Sequence, residues 1–297
     1  MPSAPVDELL REVLDYAGMF PPAKRTIADA MATYAQHRAG PHAWMLGMFV
    51  VALERLSELD SLQEALGNAA APRATRAGAW PVAVVMPDGS ATAIEHALGA
   101  AGHVRVAALE FPPLTPAGIR DAAAAVPPDA RAFFEIALTT DVEARLDAVA
   151  AAAAHAKIRT GGVTPDAFPD AASVYRFLRG CADRRMPCKA TAGLHHAVTG
   201  RYPLTYESGS AATEMFGFLN LSVAAALVHA GAAEHDVVAA LRDPSPVLSH
   251  AADQEIEWKG HRITAEDASA TRRELFRSFG SCSLQEPIGD LQRMHLL

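Results

Sequence analysis

Lysine is scarce in this chain. Of 26 basic residues four are lysines, at positions 24, 157, 189 and 259, and the rest are arginines. A need for positive charge therefore does not explain a lysine here, because arginine supplies that charge almost everywhere else. Cysteine is scarcer still. Cys181, Cys188 and Cys282 show no paired metal-binding or redox spacing, which excludes a disulfide scaffold and points to a reduced, cytoplasmic setting. No apolar stretch approaches the roughly 18 residues of a membrane span, so no membrane partner is expected. The first residues, MPSAPVDELLREV, are acidic and lack the basic-then-apolar layout of a signal peptide. A net charge of −8 without any dense Lys/Arg run argues against a nucleic-acid surface. Internal repeats, low-complexity linkers and the nucleotide fingerprint G-x-G-x-x-G are also missing, as are H-x-H and H-E-x-x-H.

What is present fits an ordinary globular protein of 297 residues, half of them hydrophobic and 20% charged. Short apolar runs alternate with longer helical segments. Strands are expected near 15–20 (DYAGMF), 43–51 (AWMLGMFVV), 80–86 (WPVAVVM), 103–110 (HVRVAALE), 131–138 (RAFFEIAL), 155–160 (HAKIRT), 187–192 (PCKATA) and 214–220 (EMFGFLN). TIADAMATYAQHRA, ATAIEHALGAAG and TTDVEARLDAVAAAAAHA read as helices between them. Eight strands with intervening helices predict an α/β protein, a (β/α)8 TIM barrel over residues 1–235. An open doubly wound sheet is the alternative. Residues 236–297 read as a C-terminal extension: a helix in HDVVAALRD, a hairpin EIEWKGHRITAED about Gly260, and a helix SATRRELFRSFG closed by Gly280. The extension is expected to rest on the barrel or on a partner, and a homo-oligomer fits that.

Two of the four lysines fall inside expected strands, Lys157 in HAKIRT and Lys189 in PCKATA. Side chains of a barrel strand alternate between interior and helix layer, and the active site lies at the strands' C-terminal ends. If Lys157 points inward, so does Arg159, and Thr191 follows Lys189. Glu110 and Glu135 are the polar members of the fourth and fifth strands. A cluster of Glu135, Lys157 and Lys189 must be mutually compensated, since an unpaired buried charge costs several kcal/mol. Arginine keeps its proton at ordinary pH, whereas a buried lysine can release it and attack a carbonyl to form a Schiff base. In that chemistry Lys157 and Lys189 are the candidate amines and Glu135 the proton carrier. The alternative is an ion network that only braces the barrel.

KIRTGG followed by KATAGLHH resembles the strand-six and strand-seven motifs of deoxyribose-phosphate aldolase, a class I (Schiff-base) aldolase. In that family a K-x-S-T-G segment holds the Schiff-base lysine and a V-K-A-S-G-G segment holds the lysine that perturbs it. Lys157, Thr160 and Gly161 match the first motif, and Lys189, Ala190 and Gly193 the second. Arg159, Thr191 and Ala192 depart from it, and the family's phosphate loop has no counterpart in FGFLNLS. The resemblance covers about residues 155–200. It implies a lyase with Lys157 as nucleophile and Lys189 lowering its pKa, acting on a small carbonyl compound. No cofactor and no metal are expected.

Arg159, with a fork suited to a carboxylate or phosphate, makes an anionic substrate the expectation. Thr160, Thr191, His195, His196, Glu110 and Asn220 complete the expected substrate-binding set. His195 and His196, with Glu135, are alternatively the centre of a metal-dependent hydrolase or lyase. A third alternative is a non-catalytic barrel that binds a small ligand. The long segment 197–214 has the length of a lid. Cys282 in FGSCS is a possible nucleophile with no His or Asp tied to it by spacing, and YAGMFPPA brings Asp15 or Tyr16 either to the barrel mouth or into the core.

Overall fold

Runs such as Phe49-Val50-Val51 and Val82-Ala83-Val84 are buried along their whole length, as befits parallel strands covered on both faces. The computed structural model describes residues 4–70, 79–139, 141–244, 249–250 and 255–297. Eight strands form a closed parallel barrel: β1 (Leu14–Tyr16), β2 (Leu46–Ala52), β3 (Pro81–Val85), β4 (Arg105–Phe111), β5 (Arg131–Glu135), β6 (His155–Arg159), β7 (Cys188–Thr191) and β8 (Phe276–Ser281). Their order around the ring is β1-β8-β7-β6-β5-β4-β3-β2. The fold is a (β/α)8 TIM barrel, as the alternation of elements predicts.

Polar caps set where the outer helices start. Thr115 accepts from the Gly118 amide at 3.1 Å and Pro116 opens the first turn of Pro116–Ala125. Asp170 caps Ala171–Asp183 by accepting from Ser173 at 2.7 Å. Inside the ring, Met48, Val50, Ala83, Ala107, Ala108 and Phe133 form a separate apolar cluster.

The eighth strand corrects the sequence reading. Glu214 to Asn220 is not a barrel strand: Ala212–Met215 pairs antiparallel with Gly200–Pro203 in a small ribbon, and Phe218–His229 is a helix. That helix is buried all round from Phe218 to Val228, so its apolar run carries no helical stripe and reads equally well as a strand. The true last strand, Phe276–Ser281, lies in the segment read as the end of a helix. The helix there is Ala265–Glu274, which begins before that segment and ends two residues ahead of the strand.

Residues 236–297 are therefore not an extension outside a finished barrel. They contribute the helix Glu234–Arg242, the predicted hairpin (Glu255–Trp258 with His261–Thr264), β8 itself, and a closing helix Gln285–Arg293. No described helix is long and apolar enough to cross a membrane.

Candidate functional site

Register brings the charged residues together. Glu135 of β5 pairs with Lys157 of β6, Lys157 with Lys189 of β7, and Lys189 with Ser278 of β8. Lys189 is fully enclosed, at 0% exposure. Its Nζ donates to Asp15 Oδ2 and to Glu110 Oε1, both at 2.6 Å, and lies 5.3 Å from the centre of the Phe133 ring. Burial alone would push its pKa down. The charges of Asp15 and Glu110 outweigh burial and hold it above the usual lysine value.

Asp15 also accepts from the Ser278 hydroxyl at 2.6 Å and from the Met48 amide at 2.8 Å. Gly47 makes room for this carboxylate, since a Cβ there would run into Asp15 Oδ1. Asp15 thus belongs to the charged centre, whereas Tyr16 is buried against Tyr34 and Phe49.

Lys157 is held more loosely. Its Nζ is 3.2 Å from Glu135 Oε2 and 3.5 Å from Glu110 Oε2. Glu110 therefore faces one lysine with each oxygen. Burial would raise its pKa, but Lys189 first and Lys157 second hold the carboxyl below its usual range. Glu135 keeps 17% of its side chain exposed. With Asp15, Glu110 and Glu135 against Lys157 and Lys189, the fully ionised centre carries one excess negative charge.

The cluster opens into a cavity of about 370 Å³ at the C-terminal end of the strands. Phe20, Pro22, Val50, Val85, Met86, Pro112 and Val163 line an apolar part. Glu110, Glu135, Lys157, Arg159, Lys189, Thr191, His195 and Cys282 line the polar part. Arg159 donates its Nε to Gly161 O at 3.1 Å, and no carboxylate among the described residues pairs with its terminal nitrogens. It is exposed at the cavity rim. The turns after β6 and β7 touch: a Cβ on Gly161 would lie 2.8 Å from Gly193 Cα, and Gly193 has φ +75°, so glycine is required at both positions.

Three residues expected to bind substrate do something else. Thr160 is buried and its hydroxyl donates to Ala192 O at 2.7 Å, tying the end of β6 to the turn after β7. Asn220 lies in the Phe218–His229 helix. Its amide donates to Ala240 O and Asp243 O and its oxygen accepts from Thr199 N, so it joins backbone segments outside the cavity. His196 stacks on Tyr202 with ring centres 3.7 Å apart, and its Nδ1 lies 3.1 Å from Asp290 Oδ2.

His195, its neighbour, turns the other way. Its Nδ1 is 3.3 Å from Glu286 Oε2 and 3.7 Å from Cys282 Sγ. Burial opposes a charged imidazole here, yet the hydrogen bonds to Cys282 and Glu286 outweigh it, and the pKa is pushed up to about 9. Since the two histidines engage different carboxylates of the closing helix, the metal alternative loses its ligand pair. Among the described residues no three His, Cys, Asp or Glu side chains are arranged to hold a metal ion.

The segment expected to be a lid is largely the ribbon Gly200–Pro203 with Ala212–Met215. Tyr206 in its turn donates to Glu286 Oε2 at 2.9 Å. A second cavity of about 380 Å³ lies beneath this turn and shares Pro22, Gly162, Gly193 and His195 with the first. The sequence reading missed Ser278, Glu286 and Asp290. Their signal was position, on and just after a strand not recognised as one. No protein-family model and no curated protein matches this chain, so what the site does must be read from its own side chains.

Proposed function

We propose that the protein is a Schiff-base-forming carbon–carbon lyase of the class I aldolase type, acting on a small, anionic carbonyl compound with Lys157 as the nucleophile. One observation carries this reading: of two register-paired lysines lining one cavity, Lys189 is locked between two carboxylates at 2.6 Å, while the carboxylates stand 3.2 and 3.5 Å from Lys157, the nearer being the partly exposed Glu135. The resemblance of KIRTGG and KATAGLHH to the motifs of deoxyribose-phosphate aldolase supports the same assignment. That family's strand-four aspartate has no counterpart here other than Glu110 or Glu135.

The Lys157 ammonium passes a proton to Glu135, and the freed amine attacks the carbonyl carbon. The carbonyl oxygen takes up the proton from Glu135 and a second from the attacking nitrogen and leaves as water, giving an iminium ion. Glu135 removes the proton of a β-hydroxyl, the adjacent carbon–carbon bond breaks, and its electrons move into the iminium as an enamine. Protonation of the enamine carbon and hydrolysis release the second product and return Lys157. Arg159 holds the substrate's carboxylate or phosphate with the terminal nitrogens left over from its contact with Gly161. Lys189 acts as a positioning residue. Asp15 and Glu110 largely neutralise its charge, so its contribution is to fix Glu110 rather than to repel a proton from Lys157.

The test is reductive trapping. Borohydride with a panel of aldehydes, ketones and keto acids is expected to leave a reduced adduct on the peptide containing Lys157, and Lys157→Arg is expected to leave none. An adduct confined to Lys24 or Lys259, or no adduct with any carbonyl compound that the protein turns over, would sink the reading.

A further inference from the structure

The cavity wall also holds a thiol that the lyase reading leaves unused. Cys282 follows β8 directly and lines the cavity, although it is only 4% exposed. Its Sγ lies 3.7 Å from His195 Nδ1 and 3.9 Å from His195 Nε2. The same imidazole is 3.3 Å from Glu286 Oε2, and the Tyr206 hydroxyl, which itself comes within 3.7 Å of the sulfur, donates to that same oxygen. Four segments supply these groups: the turn after β7, the turn after β8, the closing helix and the ribbon turn.

We infer that Cys282, His195 and Glu286 form a second reactive centre, at which the Cys282 thiol is covalently modified by small carbon electrophiles that enter the cavity. Imidazole beside sulfur puts a proton acceptor within reach of the thiol, and carboxylate beside imidazole steadies the charge the ring then carries. The high His195 pKa agrees with it. The two other cysteines provide the contrast. Cys181 and Cys188 are at 0% exposure in the apolar layer between barrel and helices, and burial, followed by Cys188, raises the Cys181 thiol well above its usual value. In the modification the sulfur forms a bond to the electrophilic carbon, the carbon–leaving-group bond breaks with its electrons, and the thiol proton passes to His195 and then to solvent. This site stands independently of the Schiff-base reading.

Iodoacetamide tests it, with iodide as the leaving group. At pH 7 the intact protein is labelled for increasing times together with free glutathione, then digested and analysed by mass spectrometry. Cys282 is expected to be carbamidomethylated at least tenfold faster than Cys181 and Cys188, and faster than glutathione. His195→Gln and Glu286→Gln are each expected to slow Cys282 labelling severalfold without changing the other two cysteines. Labelling of Cys282 no faster than glutathione would overturn the proposal, and so would unchanged labelling in both variants. The wild-type comparison stands even if a variant fails to fold.

Discussion

Lys189 and Lys157 are the same amine on adjacent strands, paired directly in register, yet their surroundings have opposite character. Lys189, at the floor of the same cavity, has two carboxylates at 2.6 Å, an aromatic ring beside it and no solvent exposure. Around Lys157 the partners stand back at 3.2 and 3.5 Å and one side opens to the cavity. A lysine that must stay charged is enclosed by short contacts. A lysine that must change its protonation and bond to carbon needs weaker contacts, a nearby proton acceptor and access. Two lysines in a barrel do not by themselves single out a nucleophile; the proposed assignment to Lys157 rests on the distances to the carboxylates.

That contrast can be broken most sharply by substitution of each lysine. Lys157→Arg should abolish adduct formation in the trapping assay. Adduct found on Lys189 in the unmodified protein would reverse the assignment. Next in size is a stability difference. Lys189→Met leaves Asp15 buried without its cation and Glu110 with Lys157 alone, at 3.5 Å, and should cost about 3–5 kcal/mol. Lys157→Met should cost less than half of that, because Glu135 reaches solvent. Urea unfolding of both variants measures this, and equal losses would erase the distinction between brace and nucleophile.

A smaller effect concerns the rim of the cavity. Arg159→Leu should raise the Michaelis constant for anionic carbonyl compounds about tenfold, on the scale of one charge-assisted hydrogen bond, and leave neutral ones little changed. Steady-state kinetics with matched substrate pairs decides it; equal effects on both remove Arg159 from binding.

The smallest effect lies at the mouth. The folded-state pKa of His195, about 9, exceeds the ordinary value near 6.5. The stabilisation from its contacts is therefore complete below about pH 6.5 and disappears as pH rises through about 9. Glu286→Gln should flatten the fall in thermal midpoint across that window by a few degrees. An unaltered pH profile would show that Glu286 does not hold the imidazolium.

Seven strands were legible because each is a short apolar run ended by turn residues, as in WPVAVVM before Pro87-Asp88-Gly89. The eighth was not. β8 reads FRSFGS, with two serines, a glycine and an arginine, and its register shifts between Phe276 and Ser278. Those small polar residues are there because the strand borders the ion cluster, where Ser278 bonds to Asp15. The lysines and both glutamates could be found from the inward alternation alone. Asp15 could not be ranked, since its partner Lys189 lies 174 positions away. Thr160 matched a motif, but its hydroxyl serves the backbone. Asn220 was drawn into the set by a strand that is a helix. His195 and His196 looked like a pair only in one dimension, for consecutive residues in a turn point to different neighbours.

The place of β8 in the ring also governs how the chain reaches its native state. Leu14 pairs with Phe279, so the first strand waits for nearly the last residues before it gains its second neighbour. Contacts so distant along the chain are slow to form, since the loop they close must first lose its freedom. Until then β1 and β7 present open hydrogen-bonding edges, the surfaces on which strands of other molecules add and aggregates grow. Asp15 and Lys189 sit on those two edges. The salt link between them is consequently among the last to form, and the seam it closes is where a slowly folding or truncated chain would stick to its neighbours.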